Sequence, residues 1–293
     1  MRPDQALTVY EIRALTPEAL ELFDRPGNME RLGPGLAGLH WEADFAFVFF
    51  HDEPGQEAAA FLYDHPELDL RHIHRLTYAQ WQDGAGAESF TVAGLTVIQA
   101  TSEEPPAPHA PIPAPDRLVI DPGLAFGFGG PPTTHSCLQF LARACQGRGL
   151  GGPPRTALDL GAGTGVLSLA AALWGVPEVT GVDYSHLAVE AARHNLALNR
   201  LESQVKFHRG PAQDFAAHPA EMLLANLHLS LQLELFQLKA FHNRRLVIAS
   251  GLLPAEGDRL LNSLAGIGLR LIDQIRTDRW ITMLCANREL CCL

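Results

Sequence analysis

From about residue 118 onward, short apolar runs alternate with stretches whose apolar residues recur at helical spacing. Residues 156–160 read as a buried strand, residues 166–174 as a helix, and residues 178–182 as a second strand that ends on Asp183. The pattern continues as a helix over 185–199 with Ser185 as a candidate N-cap, then strands over 204–208 and 221–225, the latter ending on Asn226. A helix over 230–241, a strand over 245–250 and a helix over 255–265 follow. Two final strands, 269–275 and 279–286, have no helix between them, so they should pair as an antiparallel hairpin at the sheet edge. Such alternation predicts an α/β fold, a Rossmann-like, doubly wound, mostly parallel sheet with helices on both faces.

The first hundred residues read differently. Strands are expected over 7–13, 40–51, 70–78 and 90–99, with helices over 17–23 and 56–65. This predicts a small N-terminal α+β domain built on an antiparallel sheet. Residues 101–117 hold six prolines, a density that no helix or central strand survives. They read as an extended spacer. The expected organisation is therefore a recognition domain over 1–100, a proline-rich linker over 101–117, and a cofactor-binding domain over 118–293.

Charge sharpens the division. The net charge is −11, and residues 1–100 carry sixteen acids against six bases. Nonspecific nucleic-acid binding needs clustered Lys and Arg, so no direct nucleic-acid partner is expected. The acidic N-terminal domain is instead a candidate dock for a basic protein. No apolar run is long enough to span a membrane, and the N-terminus has no apolar signal region. The five cysteines show no metal-ligand spacing, which implies reduced thiols, a cytoplasmic location and no metal site.

The candidate chemistry lies between the first two strands of the larger domain. Asp159 stands two residues before Gly161, and Gly161, Gly163 and Gly165 follow as G-x-G-x-G. Dinucleotide-binding turns use G-x-G-x-x-G and seat a pyrophosphate on the helix N-terminus. The G-x-G-x-G spacing with an acid before it resembles S-adenosylmethionine-dependent methyltransferases, whose cofactor carries no phosphate. The resemblance implies close backbone approach to an aminoacyl tail, an acid facing its amino group, and a second acid for the two ribose hydroxyls. Asp159 and Asp183 supply those acids. Gly161, Asp183, Gln213 or Asp214, and Asn226 all fall at expected carboxyl ends of strands, where open α/β sheets bind ligands.

Turn, spacing and second acid together resemble S-adenosylmethionine-dependent methyltransferases. A longer segment narrows the resemblance. Residues 119–134 read VIDPGLAFGFGGPPTT, which is similar to DPGLAFGTGTHPTT in the PrmA family, methyltransferases of the large-subunit stalk-base ribosomal protein. The likeness continues through GVDYS at 181–185, Ala225-Asn226-Leu227, SGLL at 250–253 and Asp278-Arg279-Trp280, and so covers roughly 118–290. It implies a class I methyltransferase using S-adenosylmethionine on lysine or α-amino groups of a ribosomal protein. It assigns Thr134 to the cofactor, Gly161 to its aminoacyl part, Asp183 to its ribose, and Asn226 to the edge of the methyl-transfer pocket as the candidate catalytic residue. With Asp159, Gly163, Gly165 and Asp214 these complete the expected cofactor set.

Two departures fall near the expected substrate channel. The loop reads GFGGPPTT, without the family's threonine and histidine, and Leu227-His228-Leu229 stands where the family reads Ile-Leu-Ala. No Pro-Pro and aromatic residue follow Asn226, which disfavours planar amide or nucleobase targets and favours an aliphatic amine. Another basic protein or a small amine stays open as the substrate, as does a non-catalytic S-adenosylmethionine-binding protein.

Overall fold

The computed structural model describes the chain except residues 1–4, 17, 18, 20, 21, 24–26, 43, 44, 78–88, 101–115, 122–131, 148, 278 and 288–293. Two compact units are present, one centred on Met1–Ala87 and a larger one that begins at Glu88.

The first unit contains β1 (Ala6–Ala14), β2 (Leu36–Glu42), β3 (Phe45–Phe50), helix α1 (Gln56–Asp64) and β4 (Leu68–Thr77). The strands form an antiparallel sheet in the order β2-β3-β1-β4. Ile12, Phe23, Val48, Phe50 and Phe61 are buried together as its core. The single strand expected over 40–51 is two, with Glu42 opposite Phe45. Glu42 and Asp44 are the sequence's only mark of the reversal within an otherwise aromatic and apolar run. The helix expected over 17–23 lies mostly outside the described residues.

The strand expected over 90–99 is also a hairpin, β5 (Phe90–Val92) and β6 (Leu95–Gln99). Ala93 and Gly94 both have positive φ, 49° and 85°, the geometry of a two-residue hairpin turn. β6 pairs in parallel with β7 (Arg117–Ile120), and the Thr96 N–H donates to the Asp116 carbonyl at 2.7 Å. These pairings tie 89–100 into the second unit, so the contacts divide after Ala87 rather than after residue 100, and the expected linker ends inside a sheet.

The rest of the second unit runs α2 (Pro132–Gln146), β8 (Thr156–Leu160), α3 (Val166–Leu173), β9 (Glu178–Asp183), α4 (His186–Asn199), β10 (Val205–Arg209), β11 (Met222–Asn226), α5 (Leu229–Gln237), β12 (Leu246–Leu252), α6 (Gly257–Gly266), β13 (Leu269–Arg276) and β14 (Ile281–Asn287). The seven strands lie in the order β10-β9-β8-β11-β12-β14-β13. The first five pair in parallel, and β14 runs antiparallel to both its neighbours. The doubly wound sheet and terminal hairpin expected from the pattern are both present. Leu158, Leu223, Val247, Met283 and Cys285 are buried in a core beside the sheet. Helix α2, fifteen residues long, and strand β7 have no counterpart among the expected elements, although Cys137, Leu138, Leu141 and Ala144 lie buried at helical spacing along α2. Cys137, Cys145 and Cys285 are free and buried, and burial pushes each thiol up to about 12.

Candidate cofactor site

β8 ends at Leu160, and the chain turns at once. The N–H groups of Gly161 and Ala162 both donate to the Val182 carbonyl, at 2.9 and 3.0 Å, so the turn hangs from the end of β9. Gly165 caps α3 with φ +82°, and a Cβ there would stand 2.6 Å from the Phe207 ring and 3.2 Å from Ala192 Cβ. Only glycine satisfies both the backbone and the packing. Gly161 also has positive φ, but it is exposed, and the nearest atom to a Cβ there is the tip of the Leu227 side chain. Its bare backbone is open to a ligand.

Asp183, last residue of β9, accepts the Gly163 N–H on Oδ2 at 2.9 Å. The second acid and the turn are therefore one construction. Asp159 sits behind the turn rather than on it, 1% exposed within β8. Its Oδ2 accepts the Ser168 N–H at 3.1 Å and the Ser168 hydroxyl at 2.6 Å. Burial pushes its carboxyl up to about 6 against those two bonds, with the Asp183 charge adding a smaller push in the same direction.

β8, β9 and β11 run parallel, so Gly161, Asp183 and Asn226 share the carboxyl edge of the sheet. Asn226, half-buried, donates its side-chain N–H to the Thr133 hydroxyl at 3.4 Å. Thr134, the residue expected at the cofactor, is 3% exposed in the first turn of α2, and Thr133 beside it meets Asn226. The paired threonines were the available signal for Thr133. Asp214 is exposed in a 3-10 turn (Ala212–Phe215) after β10. Its neighbour Gln213 donates to Glu234 on α5 at 2.9 Å.

On the side of Asn226 away from β9, a cleft of about 390 Å³ opens over the ends of β11 and β12. His228, Leu233, Leu253, Glu256, Arg259 and Trp280 line it. Glu256 and Arg259 had no signal in the sequence pattern, because a 3-10 turn (Pro254–Glu256) and the start of α6 bring them there. Among the described residues, no group of His, Cys, Asp and Glu could hold a metal ion, and no helix is long and apolar enough to cross a membrane.

An exposed glycine backbone that a Cβ would fill, next to a carboxylate at the end of the following strand, fits the aminoacyl tail and ribose of S-adenosylmethionine. A family model described as ribosomal protein L11 methyltransferase (PrmA) matches residues 88–288. The chain belongs to the ribosomal protein L11 methyltransferase family. The match begins where the second compact unit begins. Among curated members, the ribosomal protein L11 methyltransferase of Pelobacter propionicus is 34% identical over 233 residues, 75% of this chain and 71% of that protein. That of Exiguobacterium sibiricum is 30% identical over 198 residues, 67% of this chain and 59% of its own. That of Prochlorococcus marinus is 35% identical over 184 residues, 59% of this chain and 58% of its own. The chain thus spans less than two thirds of the length of the latter two. The crystal structure of a ribosomal protein L11 methylase from Lactobacillus delbrueckii subsp. bulgaricus superposes with a TM-score of 0.53 at 25% identity, covering 68% of this chain and 99% of that one.

Within this family, the departures at 227–229 acquire positions. The Leu227 N–H donates to the Ser250 carbonyl at 3.1 Å, its side chain lies against Gly161, and His228 opens the cleft.

Proposed function

We propose that the protein transfers a methyl group from S-adenosylmethionine to an amine of a ribosomal protein, the homologue of the substrate for which its relatives are named. The observation that carries this reading is the Asp183 carboxylate bonded to Gly163 beside the exposed Gly161 backbone, a seat for a nucleoside and a short charged tail with no provision for phosphate. When bound, the cofactor supplies a methyl carbon on a sulfonium that is already a good leaving group, so the protein contributes mainly proximity and orientation.

In this reading Gly161, Gly163 and Gly165 form the backbone cradle. Asp183 accepts the ribose hydroxyls, and Asp159 supports the cradle from behind through Ser168. Thr134 acts through its place in the first turn of α2, Asp214 borders the adenine side, and Asn226 orients the incoming amine at the transfer edge. Asn226 cannot serve as a base. An exposed lysine ammonium has a pKa near 10.4, and presenting it neutral at pH 7 costs about 4 to 5 kcal/mol at ~1.4 per unit. In the cleft beyond Asn226, Leu233, Leu253 and Trp280 disfavour the charged ammonium by desolvation and Arg259 by its like charge, while Glu256 acts in the opposite direction.

The first unit serves to recognise a basic partner. Its Arg31, Arg71 and Arg75 are each tied to a carboxylate, Asp64, Asp69 and Glu53, so the excess acids set the field of that unit. The reaction belongs in the cytoplasm, where ribosomal proteins are made, with no direct nucleic-acid or membrane partner.

The test is incubation with radiolabelled S-adenosylmethionine and the isolated stalk-base ribosomal protein, with total ribosomal protein in parallel. Label on the stalk-base protein is expected. Label only on another protein retains the chemistry and moves the substrate. No label on any protein, with cofactor bound by calorimetry, overturns the enzymatic reading.

A further inference from the structure

β7 is the edge strand of the three-stranded sheet β5-β6-β7, and its outer edge is not left to water. The Val119 N–H donates to Asn199 Oδ1 at 2.9 Å, and Asn199 Nδ2 donates back to the Val119 carbonyl at 2.6 Å. Two residues on, the Asp121 N–H donates to Asn195 Oδ1 at 2.7 Å, and Asn195 Nδ2 returns a bond to the Asp121 carbonyl at 3.0 Å. Alternate residues of a strand present both backbone groups to the same side. Two asparagines four apart on α4 therefore imitate a neighbouring strand. The Asp121 carboxylate is held by the same helix, with Oδ2 3.4 Å from His194 Nε2.

The two asparagines differ in one respect. Asn199 spends its second N–H on its own helix, at the Asn195 carbonyl. Asn195 spends it on the Thr164 carbonyl at 2.9 Å, inside the glycine turn. Both Asn195 and Thr164 are fully buried. A buried amide is costly unless its groups are paired, and every bond of the Asn195 side chain joins α4 to another segment.

We infer that Asn195 is a positioning residue for the cofactor, holding the glycine turn in register with β7 so that the turn's backbone is preorganised before binding. This rests on the cofactor reading above. Because ordering the turn would otherwise be charged against binding, losing the Thr164 bond weakens affinity, whereas losing the Asn199 pair affects only the fold.

The experiment compares Asn195→Leu and Asn199→Leu by isothermal titration with S-adenosylmethionine and by urea denaturation. Both variants should unfold at lower urea. Asn195→Leu should raise the cofactor Kd tenfold or more, and Asn199→Leu should leave it within twofold. Should Asn195→Leu fail to fold, Asn195→Asp keeps the acceptor for the Asp121 N–H, loses the donors to both the Asp121 and Thr164 carbonyls, and should weaken binding in the same direction. Hydrogen exchange on the wild type adds a readout free of mutation, since cofactor should slow exchange of the Asp121 amide together with that of Gly163. Unchanged Kd in the Asn195 variants, equal weakening in Asn199→Leu, or an Asp121 amide indifferent to cofactor each overturns the inference. A wild type that binds no S-adenosylmethionine overturns the cofactor reading itself and this inference with it.

Discussion

Replacing Asp159 by asparagine removes a charge that the folded protein holds at a cost. The carboxyl is 1% exposed, and burial outweighs its two bonds from Ser168, so its pKa rises from 3.8 to about 6. A group whose folded pKa lies above its unfolded value binds more protons folded than unfolded between the two. Stability must then fall as pH rises from about 4 to about 6 and level off above that. The full span is worth about 3 kcal/mol at ~1.4 per unit, and between pH 4.5 and pH 8 the group contributes about 2 kcal/mol. The Asp159→Asn variant lacks this contribution, whereas the titrations of other groups are common to both proteins. Urea denaturation followed by far-UV circular dichroism, at pH 4.5, 5.5, 6.5 and 8, isolates the effect as the difference between wild type and variant. That difference should favour wild type by about 2 kcal/mol more at pH 4.5 than at pH 8. A difference that stays flat, or that grows with pH, refutes the assignment of Asp159 as a buried support of the turn.

Other outcomes separate binding from folding. Gly165→Ala meets Phe207 and a positive φ, and should cost about 2 to 4 kcal/mol of stability in the same denaturation assay. Gly161→Ala meets only the tip of Leu227, so it should cost about 1 to 2 kcal/mol while titration calorimetry records at least a tenfold loss of cofactor affinity. Asp183→Asn keeps the shape of the side chain and loses the charge beside Gly163, and a tenfold or greater rise in the cofactor Kd is expected by calorimetry. Cys137, Cys145 and Cys285, buried and pushed up to about 12, should resist a thiol reagent at pH 8 until denaturant is added, as read by mass spectrometry of the labelled peptides.

What could be read from the chain alone follows from where the information is local. The glycine turn, Asp183 and Asn226 are marked by spacing at strand ends, and the alternation of the second unit was legible because each element carries its own period. The hairpins at 36–50 and 90–99 were not, because each reversal involves only two residues between strands that follow one another directly. Helix α2 was obscured by its start in a proline- and threonine-rich turn. An acid two residues before a glycine turn can point to the ligand or to the helix behind it, and the Ser168 bonds of Asp159, which lie on the helix side, are not legible in the spacing. Glu256, Arg259 and Asn195 are brought to their positions by packing between distant segments, which no local pattern encodes.

The position of β14 bears on how the protein comes into being. It is the last strand of the sheet in chain order, yet it lies between β12 and β13, and Ile281 to Cys285 are almost wholly buried. Until β14 emerges, β12 presents an unpaired edge and β13 has no strand to hold it in the sheet. A nascent chain can assemble the parallel strands as they appear, but the sheet is completed only by insertion of its final strand into a gap. Loss of residues 281–287 would therefore remove an internal strand rather than the marginal one, detach β13, and leave open strand edges prone to pairing with other chains.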